Sequence, residues 1–249
     1  MKGIKYVLIF FALLFSVNAC FAADVELYVV RHGKTFFNTV RRAQGWSDTP
    51  LTAEGAAVVQ KLGKGLKTVN FVTAWSSDSG RARETAKLIM AANNNPLPVG
   101  ERMELREAFF GQFEGDMNVN MQAAAAKEGG YGSAAELLKG FENGSISVVD
   151  IVNMIKAADK SGQAESYPQI AQRVMKAVKE IAQDAQRRGG GNVLIVSHGI
   201  AIMTLMHELG DKSLSYPLIN ASVSKIRYTD EGKFIIESIN DVSYLQRGS

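Results

Sequence analysis

Apolar residues along the chain form short continuous runs that alternate with longer segments of helical periodicity. Three runs rich in β-branched residues predict buried strands: residues 25–30, 69–75 and 192–196. Four segments predict helices: residues 52–66, 81–92, 166–186 and 199–209. Because strands that alternate with helices usually form a parallel sheet covered on both faces, the pattern predicts an α/β fold with a mostly parallel central sheet.

Local signals at the ends of these elements support the assignment. Thr52 can cap the helix that follows it, and Glu54 lies in the first turn of that helix. Pro168 fits the first turn of the long helix near residue 170. Near the C-terminus, residues 222–228 and 234–239 flank the turn sequence TDEG. These two segments predict an antiparallel hairpin at the edge of the sheet.

Residues 116–165 interrupt the alternation. This stretch is rich in Ala, Gly and Lys, and it contains two or three short helical patterns without a strong strand. We interpret it as a helical insertion that covers one end of the sheet, and not as a separate domain.

The first 22 residues have the layout of a secretory signal peptide. Lys2 and Lys5 precede a short apolar run, and small residues follow it. The run is shorter than the roughly 20 apolar residues that cross a bilayer, which disfavours an uncut membrane anchor. We therefore predict a signal peptide at residues 1–22 and a mature domain at residues 23–249. That domain is expected to be periplasmic or secreted, without a membrane span.

The single cysteine of the chain, Cys20, lies inside this leader. Cleavage after Ala22 would leave a mature protein without a thiol, which suits an exported domain whose core needs no disulfide. The alternative is that SVNAC is a lipoprotein signal, in which case Cys20 would carry a lipid anchor. Both possibilities stay open from the sequence.

Composition sets broad limits on function. The chain has 249 residues, 46% hydrophobic and 21% charged, which is enough for one large globular domain. Removing Lys2 and Lys5 with the leader lowers the formal net charge from +3 to +1. No stripe of Lys and Arg with interleaved aromatic residues is present, so the sequence predicts no nucleic-acid partner.

Two predicted strands end in a histidine and a glycine. LYVVRHGKT delivers Arg31 and His32, and NVLIVSHGI delivers His198. A third strand leads through SSDSG into a helix with Arg81 in its first turn. Ligands of parallel sheets bind outside the carboxyl ends of the strands, and helix N-termini favour anions. If these ends are neighbours, one crevice holds all four side chains.

Three interpretations of this cluster compete. Histidines are common metal ligands, but Arg31 and Arg81 would repel a divalent cation. Either histidine alone could simply satisfy backbone groups at the start of a loop. The third interpretation is a phosphate site, because guanidinium groups match phosphate oxygens and a neutral imidazole can attack phosphorus. Neighbouring arginines would also keep the imidazole neutral. Only the phosphate site uses every feature, and it requires no metal.

Four blocks of the chain carry a resemblance to a known family. They are RHGKTFFNTVRRAQGWSDTPLTAEG, SSDSGRARETA, LREAFFGQFEG and VLIVSHG, in this order. Together they resemble the motifs of the histidine phosphatase superfamily, the phosphoglycerate mutase-like proteins. The resemblance spans the predicted mature chain.

The resemblance implies roles for five residues. It implies that His32 is the nucleophile and forms a phosphohistidine. Arg31, Arg81 and His198 would surround the phosphoryl group, and Asn38 would be a further donor to it. No cofactor is implied.

The resemblance also places Glu107 as the catalytic residue that protonates the leaving oxygen. The residues alone do not distinguish it from Glu104 or Glu114. Lys34 departs from the Glu or Gln that often follows this family's first motif, and it could either add phosphate affinity or face outward.

These expectations combine into a functional hypothesis. We predict an exported, metal-independent phosphomonoesterase that acts on a small phosphorylated substrate. One alternative is a phosphotransferase of the phosphoglycerate mutase type. A different class is a non-catalytic module that binds a phospholigand or phosphoprotein in the same pocket.

Overall fold

The computed structural model describes residues 23–212 and 218–248, so the predicted signal peptide with Cys20 lies outside the described residues. The strands are β1 Val25–Arg31, β2 Phe71–Ser76, β3 Val99–Glu101, β4 Gly191–Ser197, β5 Val223–Tyr228 and β6 Phe234–Asp241. The helices are α1 Phe36–Val40, α2 Ala53–Gly65, α3 Gly80–Ala92, α4 Asn118–Glu128, α5 Ala134–Glu142, α6 Val148–Ala158, α7 Tyr167–Arg187, α8 Gly199–Glu208 and α9 Ser243–Arg247.

The strands form one sheet in the order β3-β2-β4-β1-β5-β6. The pairs β1/β4, β2/β4 and β2/β3 are parallel, and β5 runs antiparallel to both β1 and β6. This confirms the predicted fold class, including the antiparallel hairpin at the edge. The sequence pattern did not reveal β3, α1 and α9, which have only three to five residues each.

Side chains of β1 alternate between two cores, as the two-residue period of a strand requires. Leu27 and Val29 pack on the side of α7 and α8, whereas Tyr28 and Val30 pack on the side of α2 and α3. All four are nearly inaccessible to solvent. Helices therefore cover both faces of the sheet, as predicted.

Capping side chains fix where the main helices begin. Thr52 accepts a hydrogen bond from the Gly55 N–H at the start of α2. Ser166 and Gln169 form a reciprocal capping box at the start of α7. At α3 the N-cap residue Ser79 makes no capping bond, and Asp48 accepts from the Gly80 N–H at 2.6 Å instead. That helix is thus capped from a distant loop.

The insertion contributes α4, α5 and α6, which pack into the same core as α7 and α8. Asp159 directly follows α6, and its carboxylate accepts hydrogen bonds from the N–H groups of Gln112, Ser161 and Ala164. Gly111 lies against this carboxylate with a φ of +58°, and a Cβ there would lie 2.3 Å from Asp159 Oδ2. The position therefore requires glycine.

Within residues 23–212 and 218–248, no helix combines the length and the apolar composition needed to cross a membrane.

Candidate active site

The two strands that end in histidine are direct neighbours in the sheet. Arg31 at the end of β1 is in register with Ser197 at the end of β4, and the His32 N–H donates to the Ser197 carbonyl at 3.0 Å. This pairing brings the rings of His32 and His198 to a centroid distance of 5.1 Å. Both side chains are buried, at 3% and 0% exposure.

Arg81 links the two histidines. Its side chain is completely buried, and its Nε–H faces His32 Nε2 at 3.3 Å and His198 Nδ1 at 3.2 Å. Its terminal nitrogens donate to protein oxygens, namely the carbonyls of Gln44, Gly45 and Ser47 and the carboxylate of Asp48. Arg81 therefore presents its Nε–H, and not its guanidinium fork, to the histidines.

The hydrogen bonds of His32 define its tautomer. Nδ1 lies 2.8 Å from the Gly33 carbonyl, which can only accept, so Nδ1 carries the proton. Nε2 is then the unprotonated nitrogen, consistent with its accepting from Arg81. A neutral imidazole whose lone pair faces a guanidinium has the form that a nucleophile needs.

Burial and neighbouring positive charge keep both histidines neutral. Burial lowers the pKa of His32 well below 6.5, and the Arg81 and Arg31 guanidinium groups lower it further. The pKa of His198 is lowered well below 6.5 by burial and then by Arg81. Both rings are therefore neutral at physiological pH.

His198 presents a donor without a partner. Since its Nδ1 accepts from Arg81, the neutral ring carries its proton on Nε2. Nε2 is buried and has no hydrogen-bond partner among residues 23–212 and 218–248. An unsatisfied buried N–H is costly, and a phosphoryl oxygen bound beside His32 would satisfy it.

The Glu107 side chain contacts the N-terminus of α8, the helix that follows His198. Its Oε1 accepts from the N–H groups of Ala108 and Ala201, and its Oε2 accepts from Ile200 at 3.0 Å. The side chain is 7% exposed and lines the same cavity as His32. Oε2 accepts one fewer N–H bond than Oε1, so it is the oxygen better able to exchange a proton.

The other two carboxylates considered for the acid lie elsewhere. Glu104 is directed towards Lys176, 4.0 Å away on α7. Glu114 accepts from the N–H groups of Gly45, Trp46 and Ser47. It therefore holds the loop whose carbonyls bind the Arg81 guanidinium, and neither residue lines the cavity.

Arg31 and Asn38 line the cavity beside His32. Arg31 donates to the Leu218 carbonyl, and its Nε lies near Gly199 at the start of α8. Asn38 caps α1 through its Oδ1, which accepts from the Thr35 N–H. With that oxygen engaged, the Asn38 amide N–H groups are the ones that can donate to a ligand.

The cavity has a volume of ≈140 Å³ and continues from His32 into the insertion. Its walls combine the expected residues with others that the sequence did not single out, from the first loop and from α4, α5 and α6: Gln44, Asn118, Met121, Gln122, Ala125, Leu137, Leu138, Phe141, Ile151 and Ile155. Exposed Arg42 also contributes to the lining. No local signal marks these residues, because their positions depend on the packing of the insertion.

Lys34 is directed away from the cavity. Its Nζ forms an exposed ion pair with Glu54 at 3.0 Å, so the departure from the family motif lies outside the site. In the part of the chain that the structure describes, no group of three or more His, Cys, Asp or Glu side chains could hold a metal ion.

Fold and site together define an α/β protein with two neutral histidines and an arginine at the carboxyl ends of its parallel strands. The chain belongs to the histidine phosphatase superfamily (branch 1), whose model matches residues 27–136 and 148–242. The short stretch between these ranges, residues 137–147, falls in the insertion.

Individual relatives agree with this family. A phosphoglycerate mutase from Bacillus anthracis has a crystal structure that superposes with a TM-score of 0.86, at 43% identity over 92% of this chain and 98% of that one. The structure of Bacillus stearothermophilus YhfR is similar at 29% identity, with a TM-score of 0.66 over 89% and 99%. A Salmonella arizonae protein named "Probable phosphoglycerate mutase GpmB" is 29% identical over 89% of this chain and 95% of its own length.

Proposed function

We propose that the protein is a metal-independent phosphomonoesterase that works through a phosphohistidine on His32. The observation that carries the proposal is the unprotonated Nε2 of His32, which accepts from Arg81 in a cavity also lined by Glu107. A nucleophile and a proton donor in one cavity are what the two steps of such a hydrolysis require.

In the first step, the lone pair of His32 Nε2 attacks phosphorus. The bond between phosphorus and the ester oxygen breaks, and its electron pair leaves with that oxygen. In this scheme Glu107 enters the step as the neutral acid with its proton on Oε2; the leaving oxygen takes that proton, and Glu107 becomes a carboxylate. Arg31, Asn38 and the Nε2–H of His198 would stabilise the phosphoryl oxygens.

In the second step, water attacks the phosphorus of the phosphohistidine. The Glu107 carboxylate takes a proton from the water, the P–N bond breaks, and its electron pair returns to His32 Nε2. Inorganic phosphate leaves, and both residues are restored. In this scheme Arg81 acts through the histidines, because its terminal nitrogens are engaged by protein oxygens.

A phosphotransferase of the phosphoglycerate mutase type is the second candidate. The names of the Bacillus anthracis and Salmonella arizonae relatives favour it. A mutase must hold the dephosphorylated acid while it returns the phosphoryl group. The walls from α5 and α6 offer no polar partner to such an acid, so Arg42 and the amides of α4 would have to bind it.

Rapid quench with a ³²P-labelled ester tests the common intermediate. We expect acid-labile, base-stable label on His32 in the wild type and no label in His32→Ala. Label on a serine or on His198 alone would refute the assignment.

Product analysis after treatment with a chelator tests the hydrolase against its alternatives. Inorganic phosphate should be released from simple esters under these conditions. Isomerisation of phosphoglycerate without net phosphate release would favour the mutase, and the absence of turnover would favour a binding module.

We also propose that the protein is exported to the periplasm or the medium. Residues 1–22 support this location, because they have a basic start, a short apolar run and then small residues. Mass spectrometry of the protein from its own cells should find a start near Ala23 or a lipidated Cys20. An intact Met1 in the cytosolic fraction would contradict export.

A further inference from the structure

The insertion forms an apolar chamber directly above the proposed phosphoryl site. Its part of the cavity lining from α5 and α6 consists of Leu137, Leu138, Phe141, Ile151 and Ile155. Every one of these side chains is a hydrocarbon. The cationic lining residues, Arg31 and Arg42, come from β1 and the loop after α1 instead.

Helix α4 gives the chamber a mixed wall. Asn118, Met121, Gln122 and Ala125 all line the cavity, and their spacing places them on one face of the helix. Met121 and Ala125 continue the hydrocarbon surface, whereas the amides of Asn118 and Gln122 add hydrogen-bonding groups. The chamber is therefore apolar with one polar side.

Part of this wall lies outside the ranges that the family model matches. Residues 137–147 lie outside the ranges that the family model matches, and they contain Leu137, Leu138 and Phe141. The matched ranges contain His32, Glu107 and the other residues of the proposed chemistry. The residues that would contact phosphate thus lie inside the shared family pattern, whereas the α5 residues of the leaving-group wall lie outside it.

A leaving group in this chamber exchanges water for hydrocarbon. A carboxylate or a polyhydroxylated group would lose hydration there without partners on α5 and α6, which costs free energy. An apolar group gains about 0.8 kcal/mol for each methylene buried. The cavity volume of ≈140 Å³ includes the phosphoryl site, and an apolar cavity of about 150 Å³ holds one benzene ring, so the chamber itself fits a hydrocarbon smaller than that.

We propose that the substrate is a phosphate monoester of an apolar alcohol or phenol, with a hydrocarbon body no larger than one ring. The hydrocarbon contacts α5 and α6, and a single polar substituent faces Asn118 or Gln122. This inference rests on the proposed phosphomonoesterase activity and specifies its substrate class.

Straight-chain alkyl phosphates test the chamber without changing the chemistry of the leaving oxygen. We expect kcat/KM to rise roughly threefold to fourfold for each methylene from methyl to butyl phosphate, as burial of a methylene predicts. n-Propyl phosphate and glycerol 1-phosphate share a three-carbon skeleton. The propyl ester should be hydrolysed with at least a tenfold higher kcat/KM.

Two leucine variants test whether the dependence of kcat/KM on chain length arises in the chamber. Leu138 is half-buried and lines the cavity, so Leu138→Gln should lower the ratio of kcat/KM for hexyl over methyl phosphate by tenfold or more. Leu88 on α3 is also half-buried but packs against the core on the other side of the sheet. Leu88→Gln should keep the wild-type ratio, and an equal fall in both variants would contradict the assignment of the chamber.

Binding of alkylphosphonates, measured by calorimetry, separates this inference from the proposed activity because phosphonates are not hydrolysed. Affinity that rises from methyl- to hexylphosphonate in the wild type and not in Leu138→Gln supports the apolar chamber.

If affinity rises but no ester is hydrolysed, the phosphomonoesterase proposal fails and the chamber stands. If esters are hydrolysed but neither affinity nor kcat/KM depends on chain length, or if glycerol 1-phosphate is preferred, the inference is wrong.

Discussion

The Glu107 carboxylate accepts a hydrogen bond of 2.9 Å from the Ala201 N–H, in the first turn of the helix that begins after His198. This contact joins the proposed acid to the element that carries the second histidine. Because the N-terminus of a helix attracts and orients a carboxylate, α8 holds Glu107 beside the cavity. Backbone N–H groups therefore bind the carboxyl oxygens of the acid directly.

Replacing Glu107 tests its role as the leaving-group acid. An alkoxide leaves poorly without a proton, whereas nitrophenolate leaves readily. In Glu107→Gln we expect the burst rate with an alkyl phosphate to fall about 10²–10⁴-fold, and the burst rate with nitrophenyl phosphate to fall much less. Burst rates are needed because Glu107 would also activate water in the second step, whatever the leaving group.

Glu104→Gln is the matched control, since Glu104 lies on the surface near Lys176 and outside the cavity. It should leave both burst rates close to those of the wild type. Equal losses with both substrates in Glu107→Gln would show that another group protonates the leaving oxygen.

The depressed pKa values of the two histidines predict how stability depends on pH. In the folded protein His32 and His198 stay neutral well below pH 6.5, whereas in the unfolded chain they take up protons near that value. Their neutral state therefore stabilises the fold above pH 6.5, and the stabilisation declines as the pH falls below it. The slope should reach about 1.4 kcal/mol per pH unit for each histidine.

Urea unfolding at several pH values between 5 and 7.5 measures this slope. His198→Gln should reduce the slope by about half of the histidine contribution, because one proton-binding group is removed from the unfolded chain. An unchanged slope in that variant would show that His198 is protonated in the folded state. The kcat/KM of the wild type should not fall between pH 7.5 and 6.5 through protonation of His32.

Arg173 on α7 is a positioning residue for Glu107. Its terminal nitrogens donate to the Glu104, Arg106 and Glu107 carbonyls at 2.6–2.9 Å, and its guanidinium pairs with Glu165. Lysine keeps the charge but lacks the fork that reaches several oxygens at once. We expect Arg173→Lys to lower the burst rate with alkyl phosphates up to about 10²-fold through misplacement of Glu107, with little change in KM.

A general loss of folding would instead affect every substrate. The burst rate of Arg173→Lys with nitrophenyl phosphate should therefore stay within a few-fold of the wild type. Lys176→Met provides the control on the same helix, because Lys176 is exposed and pairs with Glu180. An equal loss of the burst rate with both substrates would contradict a role through Glu107.

Asp159 should contribute to stability through its charge. Burial acts to raise its pKa, but the hydrogen bonds from Ala164, Gln112 and Ser161 outweigh burial and lower the pKa to about 2. The carboxylate therefore stabilises the folded protein above pH 4, and this contribution is lost as the pH falls towards 2. We expect Asp159→Asn to lower the free energy of unfolding by about 2 kcal/mol at pH 7.

Denaturant unfolding of Asp159→Asn and of the wild type at pH 7 and pH 3 checks this expectation. The difference between the two proteins should shrink at pH 3. Asp230→Asn, in the exposed turn of the hairpin, should have little effect at either pH. A constant difference between Asp159→Asn and the wild type would attribute the loss to geometry and not to the charge.

Local periodicity and local signals in the sequence were sufficient for most of the fold. The two-residue period of β1, the cap at Thr52 and the long apolar face of α7 are properties of neighbouring residues, so they are visible in the sequence. The sequence also placed His32 and His198 at the same edge of the sheet, because both end parallel strands, but only the structure shows that the two strands are neighbours. What the pattern missed were elements such as β3, too short to show a period.

Tertiary structure alone decided which carboxylate and which walls belong to the site. Glu104, Glu107 and Glu114 lie within eleven residues, and the path of the backbone between them depends on Arg173, more than 50 residues away. In the same way, the chamber exists because helices of the insertion pack against one another and against α7 and α8. Contacts between distant residues fix these features, and the local sequence pattern carries no record of them.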